Sequence, residues 1–190
     1  MKNLKALTLI FTLALFSTQI SFAQKFSDLD KSPMDVASYP VSYKESNKDV
    51  KVTYSRPQLK GRPLSKLAPN GEVWRTGANE AAEITFYNSM TVGKTTIKPG
   101  TYSLFTIPGE KEWTIIINKD TNVWGAYTYN EKNDVARFKA PVTIGKVNIE
   151  AFSIAFDNGK SGINMYFGWG NVIAKATFKA NKKQTLMSKQ

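Results

Sequence analysis

Apolar and polar positions alternate along most of this chain with a period of two, the spacing of a half-buried strand rather than of a helix. Val50, Val52 and Tyr54 alternate with Lys51 and Thr53 from Asp49 to Arg56, and Ile84 and Phe86 alternate with Glu83, Thr85 and Tyr87 from Ala82 to Asn88. Met90–Val92 and Thr95–Ile97 flank Gly93 and Lys94, which predicts a tight hairpin. Thr101–Ile107 and Trp113–Asn118 are apolar at nearly every position, as in central strands buried on both faces. Further strands are expected at Val135–Lys139, Val142–Ile144, Val147–Phe156, Ile163–Trp169 and Val172–Lys179, with Asp157 to Lys160 as a hairpin loop. Tyr39–Glu45 is expected to be an edge strand, where Pro40 is tolerated, and Leu64–Leu67 a single helical turn. Roughly ten short strands separated by Gly, Pro, Asn and Asp, without a helix pattern, predict an all-β fold. The expected architecture is one antiparallel β-sandwich or jelly-roll-like domain spanning 39–180.

The two ends break this pattern. Lys2 and Lys5 precede an apolar run from Ala6 to Phe16, and Ser21 to Ala23 supplies small residues at a cleavage site. Residues 1–23 read as a secretory signal peptide, because the run is shorter than the ~20 residues that cross a bilayer. The mature protein would begin at Gln24, be exported to the periplasm or secreted, and carry no membrane span. Residues 24–38 are polar and aperiodic, a flexible lead-in, and 181–190 form a basic polar tail.

Composition removes many chemistries. The 190-residue chain has no Cys and no His. This rules out thiol nucleophiles, Ser-His-Asp triads and ordinary zinc sites, and leaves only oxygen-ligand metals such as calcium. Asp157-Asn158-Gly159 faintly resembles a calcium loop but lacks the further carboxylates one needs, so neither a metal nor a cofactor is expected. The net charge of +11 is concentrated partly toward the C-terminus, at Lys175, Lys179, Lys182, Lys183 and Lys189. A basic balance can indicate a nucleic-acid partner, but an exported protein meets little nucleic acid, and none is expected here.

One stretch carries unusual chemistry for a connection. Gly71 to Glu80 crowds Glu72, Trp74, Arg75, Asn79 and Glu80 between two strands. Arg56 and Arg62 lie one connection upstream, beside prolines that hold them extended. Trp124 and Tyr127 stand in the aperiodic segment from Asn118 to Asn133. Tryptophan as a stacking platform with Arg and Glu as hydrogen-bonding groups is how proteins hold a small polar ligand or a glycan. The plainer alternative buries Trp74 as a plug, with Arg75 paired to Glu72 or Glu80. Three functions stay open: a periplasmic binding or accessory module, a carboxylate-dependent glycan hydrolase using a pair such as Glu72 and Glu80, and an envelope protein-interaction domain. The first of these motivates an expectation that changing Trp74 and Arg75 abolishes binding with little loss of stability.

Tyr54 to Pro57, Lys60 to Arg62, Gly71 to Glu80, Pro99 to Phe105 and Trp124 to Tyr127 together resemble the signature of the domain-of-unknown-function family 2911. The resemblance runs from about Ser32 to about Phe178. It implies an exported protein of a Bacteroidetes-type bacterium and no assigned activity, so no catalytic residue is carried over. Relatives often place Tyr before the Gly-Glu-Val-Trp run, where this chain has Asn70.

Overall fold

A computed structural model describes residues 24–180; the segments read as signal peptide and basic tail lie outside them. Nine strands form one antiparallel sheet: β1 (Met34–Tyr39), β2 (Val50–Ser55), β3 (Ala82–Phe86), β4 (Met90–Val92), β5 (Thr95–Ile97), β6 (Gly100–Ile107), β7 (Glu112–Asn118), β8 (Asp134–Gly159) and β9 (Gly162–Ala180). Their spatial order is β1-β2-β3-β6-β7-β8-β9-β4-β5. Leu64–Leu67 is a single helical turn, and Glu131–Asn133 a 3-10 turn. No helix among the described residues is long and apolar enough to cross a membrane.

The two long strands make the sheet fold over itself. β8 pairs with β7 through Asp134–Pro141, then turns to β9 from Val142 onward, with register shifts between Ile144 and Ser153. The parts of the sheet on either side of β8 face one another across one core. Tyr54 meets Phe152 edge-on at 5.6 Å, Phe86 meets Phe178 at 5.6 Å, and Trp113 meets Phe167 at 6.1 Å. The sheet's far side closes through Gln58, which bridges to Ala151. Leu59 N donates to Glu150 O (3.0 Å) and Phe152 N to Pro57 O (2.9 Å). The architecture is the all-β, sandwich-like arrangement the alternation predicts.

Four boundaries differ from the sequence reading. The first strand is Met34–Tyr39 rather than Tyr39–Glu45, so the last part of the expected lead-in is ordered in the sheet against β2. Pro40 has no N–H to continue a ladder, and the strand ends before it. The three strands expected between Val135 and Phe156 are one strand of 26 residues, and the two expected between Ile163 and Lys179 are one of 19. The break at Ala140–Pro141 marks a change of partner, and the one at Gly145–Lys146 a change of register within the β8–β9 ladder; neither is a turn. Asp157 and Asn158 belong to the β8–β9 ladder, and the hairpin turns between Gly159 and Gly162.

β6 and β7 are covered on both faces, as their composition requires. Leu104, Trp113, Ile115 and Ile117 face the main core. Phe105 and Ile116 point the other way and pack with Ala81, Val73, Val123, Ala126 and Tyr129. That second layer is supplied by the Gly71–Glu80 stretch and the 119–133 segment, the two connections that carry the candidate site.

Candidate functional site

Trp74 takes the place beside β6 that β3 leaves empty. Its N–H donates to Thr106 O (2.7 Å) and its carbonyl accepts from Thr106 N (2.9 Å). The chain then leaves the sheet and returns at Ala82, whose N–H donates to Arg75 O (2.9 Å) and closes the base of a loop. Thr76 (φ +56°) and Asn79 (φ +62°) sit in the left-handed region, uncommon for a β-branched residue. Thr76 is held there by its buried Oγ1, which bonds Thr106 Oγ1 at 3.2 Å. Gly77 lies so close to β2 that a Cβ would come within 3.0 Å of Ser55 O. Loop and 119–133 segment are stitched together, Ala81 N to Val123 O (2.8 Å) and Gly125 N to Asn79 O (3.0 Å), with a bridge between Glu80 and Trp124.

The side chains of the stretch do not converge. Trp74 is 6% exposed and belongs to the core. It stacks on Trp169 (5.4 Å, 15°) and meets Phe152 and Trp113 edge-on at 4.9 and 6.1 Å. A ligand platform must be reachable, so the stacking role expected of Trp74 gives way to a packing role. Arg56 is a clasp: Nη1 pairs with Asp35 Oδ2 (3.0 Å), Nε donates to Phe152 O (3.1 Å) and Nη2 to Ser153 Oγ (2.7 Å). It joins β1, the end of β2 and β8. Arg62 folds back on its own turn, with Nε to Leu59 O (2.9 Å) and Nη2 to Gln58 O (2.7 Å). Glu72 is exposed and does not line the cleft that Glu80 lines. Arg75 is half-buried and, among the described residues, pairs with neither Glu72 nor Glu80; its Nε is shut off from solvent without a hydrogen-bond partner, as is Ser103 Oγ.

Glu80 pairs with Trp124 across a bridge, and the Tyr127 ring lies over the Gly125 that follows Trp124. Trp124 is 62% and Tyr127 82% exposed, although large aromatics are usually buried. Their backbone is nevertheless fixed. Gly125 has φ +68°, and a Cβ on it would collide with the Tyr127 ring at 2.6 Å, so that ring lies directly over Gly125. Beside them a cleft of about 250 Å³ is lined by Met34, Thr53, Glu80, Ala81, Glu83 and Asn122. Glu83 Oε1 accepts from Asn122 N (2.9 Å), which steadies one carboxylate of this wall. Glu83 follows from alternation, since it faces away from Ile84 and Phe86. Thr53 and Asn122 carry no local signal in the sequence: Thr53 joins the site because the β2–β3 register sets it opposite Glu83, and Asn122 because its N–H bonds Glu83 across from the 119–133 connection.

Besides these backbone bonds, the 119–133 segment that presents Trp124 and Tyr127 is anchored by a polar side-chain network. Asn118 Nδ2 donates to Asn130 O (3.0 Å) and Asp134 Oδ1 (2.8 Å), and Asn133 Nδ2 grips both oxygens of Asp120 (2.8 and 2.7 Å). Tyr129 packs on Phe105 (5.2 Å), donates to Asp134 Oδ2 (2.7 Å) and accepts from Arg137 Nη2 (2.7 Å). Burial and the neighbouring Asp134 carboxylate push its phenol up to about 12, so it stays a donor through the physiological range.

The arrangement therefore offers two open aromatic faces, a carboxylate-lined cleft and an amide-bearing rim. These groups hydrogen-bond hydroxyls and stack on apolar ring faces. No curated protein and no solved structure matches the chain. A family model described as "Protein of unknown function (DUF2911)" matches residues 32–178, including the strands, the closing loop and both connections that build the site. The chain belongs to the DUF2911 family.

Proposed function

We propose that this is an exported, periplasmic binding or accessory β-sandwich, and that its ligand is a small hydroxyl-rich molecule or glycan. The binding surface is the Trp124–Tyr127 platform with the adjoining Glu80–Glu83–Asn122 cleft. The observation that carries this reading is the pair of exposed aromatics on a rigid backbone beside carboxylates. A solvated aromatic is costly in water, and a ligand that covers it recovers that cost. Export rests on the N-terminal sequence pattern, and a glycan is a ligand such a protein would meet.

The protein purified from a periplasmic fraction, with its N-terminus expected at Gln24, is titrated calorimetrically against a panel of neutral oligosaccharides. A binder should be found, and Trp124→Ala or Tyr127→Ala should each weaken it by about 2 kcal/mol, roughly thirtyfold, as truncation of an interface aromatic does. Stability should change by less than ~0.5 kcal/mol, because both side chains are solvated. No binding across the panel, or unchanged affinity in both variants, would sink the reading. The hydrolytic alternative would draw on Glu80 and Glu83, which share the cleft, rather than on Glu72 and Glu80. New reducing ends that disappear in Glu80→Gln would replace binding with hydrolysis.

A further inference from the structure

The turn that closes the sheet beside β8 forms a second polar concavity, separate from the aromatic surface. After Leu59 the chain reverses through Lys60 (φ +49°) and Gly61 (φ +73°), and Arg62 N donates to Leu59 O at 3.0 Å. Both central residues are left-handed, and Lys60 is exposed at the turn. Across from this turn runs the segment before β1, tied down where Arg56 N donates to Pro33 O (3.0 Å). Lys31, Ser32, Gln58, Lys60 and Arg62 line the resulting cleft of about 450 Å³.

Lys31, Lys60 and Arg62 are exposed, and three features set their arrangement apart from scattered surface cations. Lys31, Lys60 and Arg62 face one space, and none forms an ion pair among the described residues, whereas Arg56, Arg137 and Lys139 all do. The nearby carboxylates are turned onto backbone donors: Asp30 Oδ1 accepts from Ser32 N (2.6 Å) and Glu150 Oε1 from Lys60 N (2.6 Å). Arg62 is fixed through Nε and Nη2 by two carbonyls, which leaves Nη1 and one Nη2 hydrogen in a set orientation. A guanidinium already held in place loses little freedom on gripping an oxyanion, and Ser32 adds a hydroxyl donor.

We propose that this cleft is a binding site for a phosphate- or sulfate-type oxyanion, free or as an ester. Arg62 supplies the directional donors, Lys31 and Lys60 the neutralising charge from opposite walls. The site is independent of the glycan surface, since the two share no lining residue. Like charges in one cleft repel, and an anion relieves that repulsion, so binding weakens as salt screens it.

The test is calorimetric titration of the purified protein, its C-terminal segment retained, with inorganic phosphate and with inorganic sulfate in a low-chloride buffer. Saturable binding at one site is expected, weakened about tenfold by the Lys31→Gln/Lys60→Gln pair with an unchanged urea midpoint. Lys94→Gln, at the exposed β4–β5 turn, removes a cation elsewhere and should leave affinity within about twofold. Vesicles of phosphatidylglycerol, added as a separate arm, distinguish an esterified headgroup from the free ion; binding by both ions and vesicles, lost in the same pair, extends the site to esters. Binding of vesicles alone, no binding of either ion, or equal losses in Lys94→Gln and the pair would each overturn the proposal.

Discussion

Replacing Trp74 with alanine is expected to lower the unfolding free energy by about 3–5 kcal/mol, the range for removing a buried Trp or Phe from a packed core. The indole lies between Trp169, on which it stacks at 5.4 Å, and the edges of Phe152 and Trp113. These partners come from β7, β8 and β9, so the cavity would open at the point where the two parts of the sheet meet. Domains of this size are stable by only about 5–15 kcal/mol, and the loss would be visible as a large fall in urea midpoint. Trp74→Phe keeps an aromatic in the slot and should recover roughly half of the loss, which separates a packing effect from simple failure to fold. A Trp74→Ala protein within ~1 kcal/mol of the parent would mean that the indole is not part of the core. This outcome reverses the expectation drawn from the sequence, where Trp74 was to matter for binding and little for stability.

Arg56 gives the second large effect, again on stability. Arg56→Met keeps the aliphatic stem and removes three contacts, to Phe152 O, Ser153 Oγ and Asp35 Oδ2. The ion pair is partly solvated and contributes only about 0–1 kcal/mol. The charged donors to Phe152 O and Ser153 Oγ contribute more, because the carbonyl would be left without its side-chain partner. A loss of about 2 kcal/mol is expected, set against less than ~1 kcal/mol for Asp35→Asn. Equal losses in the two variants would place the energy in the ion pair instead. An Arg56→Met protein of unchanged stability that no longer binds a ligand would return Arg56 to the binding surface.

The fold was legible wherever one face of a strand is buried and the other wet. Val50, Val52 and Tyr54 are buried on β2, and Ile84 and Phe86 on β3, as alternation demands. β1 escaped because its two faces are not distinguished by polarity: Met34 and Val36 are exposed while Ala37 and Tyr39 pack on the core. β8 was read as three strands because a strand that changes partner and then register interrupts its own pattern twice, and a sequence reports interruption without saying whether the chain turns. The candidate site was legible in part. Aromatics in an aperiodic segment marked Trp124 and Tyr127, and the dense loop marked Glu80. Proximity in sequence then grouped Trp74, Arg75 and Arg56 with them, although neighbours in an extended chain point to opposite sides. Trp74 faces inward and Arg56 reaches β8. Thr53 became a site residue through pairing register and Asn122 through a long-range bond to Glu83, neither of which a local window contains.

The tryptophan of the dense loop is sealed inside while the tryptophan of the neighbouring segment faces solvent. Acrylamide quenching of tryptophan fluorescence tests it directly. Trp74, Trp113 and Trp169 are buried and Trp124 is open. Trp124→Phe should therefore remove nearly all of the readily quenched emission, while Trp74→Phe leaves that fraction in place. Loss of the quenchable emission in Trp74→Phe, with Trp124→Phe behaving like the parent, would contradict the account.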